Sequence, residues 1–121
     1  MGWKLNTDRQ IWMQLTEILT RRVVSGQYPP GVRIPSVRDL AAEAGVNPNT
    51  MQRALVIMED EGLLTSQRNT GRYVTQDTDL IAATRGRLAQ EELSLFCEKM
   101  KQLGYSEPEI SQLLQRGNQN E

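Results

Sequence analysis

The feature that most constrains this chain is a corner, Gly45-Val46-Asn47, between two short helical patterns. On the near side Ser36 is placed to cap a helix, with Asp39 three residues on forming a capping-box-like pair. Val37, Leu40, Ala41 and Ala44 turn inward and Gly45 ends the run. On the far side Asn47 is a good N-cap and Pro48 suits the first helical position. Met51, Ala54, Leu55 and Met58 then recur at the spacing of one buried helix face, and Gly62 stops the helix. Two helices joined by about three residues, with glycine at the corner, are the sequence form of a helix-turn-helix. The outward residues of the second helix are Asn49, Thr50, Gln52 and Arg53. Glu, Lys or Ala would be cheaper helix formers on a merely solvated face. Amides, a hydroxyl and a guanidinium at a helix tip point to a surface that reads something.

The flanks complete the pattern. Thr7 or Asp8 can cap a first helix running to about residue 25, with Ile11, Leu15, Ile18, Leu19 and Val23 as its buried stripe. The Pro- and Gly-rich run "GQYPPGVRIP" is a loop with at most a short extended piece at residues 32–34. After Gly62, residues 63–67 and 72–75 flank "RNTG", whose Asn and Gly tolerate positive φ, and so predict a hairpin. Three helices and a hairpin make a winged helix-turn-helix, assigned to residues 1–76; the fold class is mainly α with a small β-hairpin.

Residues 77–121 read differently. From Thr78 to Leu103 there is no Pro and a single Gly, so one long helix is predicted. Ala82, Ala89, Phe96 and Leu103 are seven apart, with Leu93 and Met100 at the four-residue offset. Ile81, Leu88 and Leu95 form a second stripe beside them. Gly104 ends the helix, and Ser106 with Glu109 caps another, whose apolar edge is Ile110, Leu113 and Leu114. "QRGNQNE" is expected to be a frayed tail. An amphipathic helix with one short companion cannot close a core alone, so the stripe needs a partner surface. The expectation is a homodimer through Ile81, Leu88, Ala89, Leu93, Phe96, Met100 and Leu103.

Composition narrows the function. The net charge of −1 conceals an asymmetry: residues 1–75 hold nine Lys/Arg against seven Asp/Glu, and residues 76–121 hold five against eight. For DNA the placement of basic groups matters more than the total. A single cysteine, Cys97, and no histidine argue against a disulfide, a zinc site and the commonest general base. No Gly-rich phosphate loop or nucleophile motif accompanies the carboxylates, so neither an enzyme nor a cofactor is expected. No apolar run approaches membrane-spanning length, the N-terminus lacks a signal-peptide core, and Asn6 stands where a myristoylation signal needs Ser or Thr. A cytoplasmic protein without a membrane partner is the expectation.

The third helix is therefore expected in the major groove of double-stranded DNA. Asn49, Thr50 and Gln52 would bond adenine edges or phosphates, and Arg53 would pair bidentately with guanine. The helix N-terminus at Pro48 would favour a nearby phosphate. Arg33, Ser36 and Arg38 would sit at the backbone, and the wing residues Arg68, Thr70, Gly71 and Arg72 would reach the next groove or its phosphates. The stretch "GVRIPSVRDLAAEAGVNPNTMQRALVIMEDEGLLTSQRNTGRYV" resembles the DNA-binding domain of the GntR family of bacterial transcription regulators. The runs "PSVRDLA" and "VNPNT" carry that likeness most distinctively, and the short acidic helical tail resembles the YtrA-like subfamily. The resemblance implies operator contacts by Arg38, Thr50 and the start of the third helix. It also implies dimerisation through the C-terminal helices, repression, and control of a transporter operon. Many members carry arginine where this chain has Pro48 and Gln52, so those two contacts do not carry over. The usual wing Gly-x-Gly-Thr-Phe-Val is "NTGRYV" here, matching well only at Gly71 and Val74. A rival reading, kept alive by the pI near 5.5, is a winged module that binds protein rather than DNA. A third is a small-molecule sensor with its pocket between tail and wing, although no sequence feature indicates an effector.

Overall fold

The computed structural model describes residues 2–119, the side chains of 118 and 119 excepted. Its elements are α1 (Ile11–Val24), α2 (Val37–Ala44), α3 (Pro48–Asp60), β1 (Leu64–Gln67), β2 (Gly71–Val74), α4 (Thr78–Gln102) and α5 (Glu107–Gln119). They fall into two compact units, Met1–Arg85 and Gly86–Glu121.

In the first unit α1, α2 and α3 close over one core. Leu15, Leu19 and Val23 of α1 meet Leu40, Ala41 and Ala44 of α2 and Met51, Ala54, Leu55 and Met58 of α3. Ile34, Leu63, Leu64 and Val74 seal the side under the hairpin. The helix ends are built locally, as the sequence predicts. Ser36 Oγ accepts the Asp39 N–H, and Gly45 takes the left-handed conformation at the corner. Asn47 Oδ1 accepts the Asn49 N–H at 2.8 Å, with Pro48 in the first turn.

The start of α1 departs from expectation. Neither Thr7 nor Asp8 caps it; the helix begins at Ile11 after Gln10, without a side-chain cap. The buried side chain of Gln14 ties down the preceding arm instead. It accepts from the Asn6 N–H at 2.7 Å and donates to the carbonyls of Asn6 and Arg9. Further back, the Trp3 N–H donates to the Ala44 carbonyl, and a Cβ on Gly2 would stand 2.6 Å from that same oxygen. The arm is thus seated on the end of α2. There Trp3 stacks on Arg22, 4.6 Å from guanidinium carbon to ring centre, and its indole N–H donates to Glu43. Arg22 also donates to Glu43 and to the Tyr28 hydroxyl.

The hairpin pairs Leu64 with Val74 through to Gln67 with Gly71, antiparallel, around a tip of Arg68, Asn69 and Thr70. Asn69 has φ 65° and Gly71 φ 121°, the positive values foreseen for this turn. Residues 32–34 lie along the other edge of β2, where Val74 donates to Val32 and Ile34 to Arg72.

The first turns of α4 belong to this unit. Leu80 and Ile81 pack on its core and Thr84 is buried. Ile81, counted among the dimer residues from the second apolar stripe, is half-buried and packs on the core of its own chain. The second unit holds the rest of α4 and α5. Gly104, at φ 98°, closes α4 with paired bonds from Gly104 to Lys101 and from Tyr105 to Met100. A full capping box opens α5: Ser106 Oγ accepts from Glu109 N–H, and Glu109 accepts from Ser106 N–H. The helix runs on to Gln119, so residues 115–119 are helical rather than frayed; the last two residues of the predicted tail lie outside the described residues. Ile110 is buried, whereas Leu93, Leu95, Phe96, Leu103 and Leu114 are exposed, Leu103 by 72%.

Candidate nucleic-acid interface

The surface around the corner divides into a reading tip, a basic shoulder and a wing. At the tip Met51, Ala54 and Leu55 point into the core while Asn49, Gln52 and Arg53 are exposed and Thr50 is half-buried. The backbone of this tip is closed on itself. Pro48 has no N–H, Asn49 is capped by Asn47, and both Thr50 and Met51 donate to the Asn47 carbonyl. A phosphate on the N-terminal amides of α3 is therefore not favoured, contrary to expectation, because those donors already have partners. What the tip leaves open for bonding is therefore its side chains.

At α2 the accounting is different. Asp39 and Leu40 donate to Ser36, but no bond engages the N–H groups of Val37 and Arg38 among the described residues. Arg38 is exposed and in no ion pair among the described residues. A small cleft of about 200 Å³ at the start of α2 is lined by Arg33, Ile34, Pro35, Ser36, Val37, Gly71 and Arg72. Free amides at a helix N-terminus next to arginine are suited to an anion. Arg33 is held against the wing: a Cβ on Gly71 would sit 2.9 Å from Arg33 Nε. Glycine at 71 thus serves the positive φ and the close approach of this guanidinium together.

The wing arginines are not equivalent. Arg68 is exposed at the tip beside Thr70, whose N–H and hydroxyl both turn back to the Gln67 carbonyl. Arg72 is only 16% exposed and is engaged by Glu59 of α3, which also accepts from Ser66. Burial pushes the Glu59 carboxyl up, but the bonds from Arg72 and Ser66 outweigh it and hold the group below the ordinary carboxylate value. Arg72 therefore fastens the wing to α3 and is not a free cation for DNA. Arg53 has a partner that spacing could not reveal, because 41 residues separate the two: its guanidinium lies over the Trp12 ring, 4.3 Å from the centroid. No cluster of His, Cys, Asp or Glu suited to a metal occurs among the described residues.

Residues 13–74 match the family described as bacterial regulatory proteins, gntR family. The chain is 30% identical over 110 residues to the uncharacterized HTH-type transcriptional regulator YhcF of Bacillus subtilis, covering 91% of each. It is 29% identical to the HTH-type transcriptional repressor YtrA of the same organism, over 77% of this chain and 67% of that protein. Among solved structures, a GntR family transcriptional regulator from Listeria monocytogenes superposes with a TM-score of 0.85 at 28% identity, covering 93% of this chain and 98% of that one.

Proposed function

The chain belongs to the GntR family of bacterial regulatory proteins, and from that premise we propose that it represses transcription by holding a pseudo-palindromic operator as a homodimer in the cytoplasm. The observation that carries the reading is the tip of α3, where Asn49, Gln52 and Arg53 stand exposed on a helix whose opposite face is locked in the core. Such a tip presents bonding groups to base edges in a major groove. Around it, the open amides of α2 with Arg38 and Ser36 take a backbone phosphate, and Arg33 and Arg68 contribute positive charge nearby. These contacts set register, while the α3 side chains supply the sequence preference.

The dimer is argued from the second unit. Leu93, Leu95, Phe96 and Leu103 are exposed there, a series that water solvates poorly and a second copy would cover. Two copies bind successive major grooves as one body, with half-sites about 34–36 Å apart or at multiples of that. The second contact then forms at high effective concentration, worth ~10²–10⁴ in avidity. Occupied grooves exclude polymerase. Repression is supported by the name of the relative YtrA, a transcriptional repressor.

Full-length protein, a duplex pool and analytical ultracentrifugation test this. The wild type should enrich a two-fold symmetric sequence and sediment at twice 13.7 kDa. Phe96→Asp sets unpaired carboxylates against each other at the two-fold interface. It should sediment as a monomer and lose the symmetric site while retaining weak, salt-sensitive DNA affinity. A Phe96→Asp chain that stays dimeric contradicts the account of the second unit. A wild type that enriches no sequence contradicts the account of the first.

A further inference from the structure

The stacking of Arg53 on Trp12 assigns a role to a residue of α1 that lies outside the helix-turn-helix itself. We infer that Trp12 is a specificity-positioning residue: it holds the Arg53 guanidinium on the outer face of α3 in the orientation used to read a guanine. The inference rests on the reading of α3 as the base-reading helix.

Three observations support it. The guanidinium carbon is 4.3 Å from the Trp12 ring centre, inside the range of about 6 Å in which the ring quadrupole attracts a cation. A ring contact engages the cation without a hydrogen-bond acceptor, and no hydrogen bond from the Arg53 N–H fork occurs among the described residues. Carboxylate pairing would do the opposite. Arg22 and Arg72 of the same unit illustrate this, since their N–H groups are engaged by Glu43 and Glu59. Arg53 makes no ion pair among the described residues, although Glu59 and Asp60 follow it on the same helix.

Positioning matters because arginine loses considerable side-chain freedom when it binds. A long exposed side chain that must be ordered at the moment of contact binds more weakly than one already held. Trp12 is half-buried on α1, two and three residues before the buried Gln14 and Leu15. A two-torsion aromatic ring is a stiffer support for the guanidinium than a flexible side chain.

The test uses full-length protein and the operator it selects from a random duplex pool, varied one base pair at a time. Arg53→Ala should lose preference at one base pair by about five- to a hundredfold. Trp12→Leu, which keeps apolar bulk but removes the ring, should weaken preference at that same base pair by about two- to fivefold. Its affinity for random-sequence DNA and its salt dependence should match the wild type. Trp12→Phe should recover part of the lost preference, and in an Arg53→Ala background Trp12→Leu should have no further effect on base preference. If Trp12→Leu leaves that preference intact, or tightens operator binding, while Arg53→Ala remains damaging, the positioning role is overturned and the reading of α3 stands. A silent Arg53→Ala overturns both. Equal losses at every base pair would make Trp12 a packing residue only, and Trp12→Phe carries the same comparison should the leucine variant melt early.

Discussion

Replacing Glu59 by Gln should weaken the fold and strengthen nonspecific DNA binding at once. Glu59, near the end of α3, grips both strands of the wing, taking Ser66 on one oxygen and Arg72 on the other. The pair lies between the surface and buried limits, with the Glu59 side chain 25% exposed and that of Arg72 16% exposed. Exposed pairs contribute up to about 1 kcal/mol, whereas breaking a fully buried one costs about 3–5 kcal/mol. Glutamine is isosteric and retains one acceptor, so it keeps part of the bonding but not the charge. The expected loss, discounted for the water that still reaches both groups, is about 1–2 kcal/mol. For a unit of this size that is roughly 4–16 °C in Tm, read by circular dichroism. Arg72 would meanwhile lose its counter-charge and turn into a cation available to phosphate. Binding to random-sequence duplexes should tighten, and the log–log salt slope should steepen by up to about one unit. A variant that melts with the wild type, or whose salt slope is unchanged, would refute the claim that Glu59 both anchors the wing and neutralises its arginine.

Arg38→Ala should weaken binding to all sequences alike and lower the salt slope by about one unit, seen in titrations at several salt concentrations; a changed base preference would instead make Arg38 a reader. Gly2→Ala drives a Cβ against the rigid Ala44 carbonyl and should lift the arm, removing the Trp3 stack and its bond to Glu43 at a cost of about 1–2 kcal/mol. Increased quenching of tryptophan fluorescence by acrylamide would report it. Acid should destabilise the first unit through Glu43 and Glu59. Bonds from Arg22 and Trp3 hold Glu43 below the ordinary carboxylate value near 4.5, and Glu59 is depressed likewise. With folded values below the unfolded ones, their stabilisation is complete above about pH 4.5 and is lost as pH falls through the folded values. Urea midpoints between pH 6 and pH 3 should fall, and by less in Glu59→Gln.

What could be read in the sequence is what short-range chemistry decides. Ser36, Asn47 and Ser106 cap their helices as foreseen, because a capping side chain reaches only two or three residues along its own chain. The buried stripes of α2 and α3 follow from helical period alone. Long-range pairings could not be read this way. Thr7 and Asp8 look like caps, yet Gln14 holds the preceding arm in a different path. Period marks Ile81 as part of a seam, but it cannot say which surface covers it. The sequence places Arg72 and Arg53 toward DNA without showing what holds them. Their partners, Glu59 and Trp12, lie 13 and 41 residues away and meet them only through the fold. What the sequence leaves out at these residues is the contact made by a second element.

The closed tip of α3 has an evolutionary consequence. Asn47 and Pro48 complete the helix start without help from outside, and the inward face is fixed by Met51, Ala54 and Leu55. Asn49 and Gln52 therefore carry no obligation to the fold, and mutation can exchange them with little effect on stability. A duplicated copy of this chain could drift to a new operator through those two positions by single steps. Arg53 is constrained differently, since its replacement removes the guanidinium that lies over the Trp12 ring. On the proposed reading, divergence at the base pair assigned to Arg53 should therefore proceed through coordinated changes at residues 12 and 53.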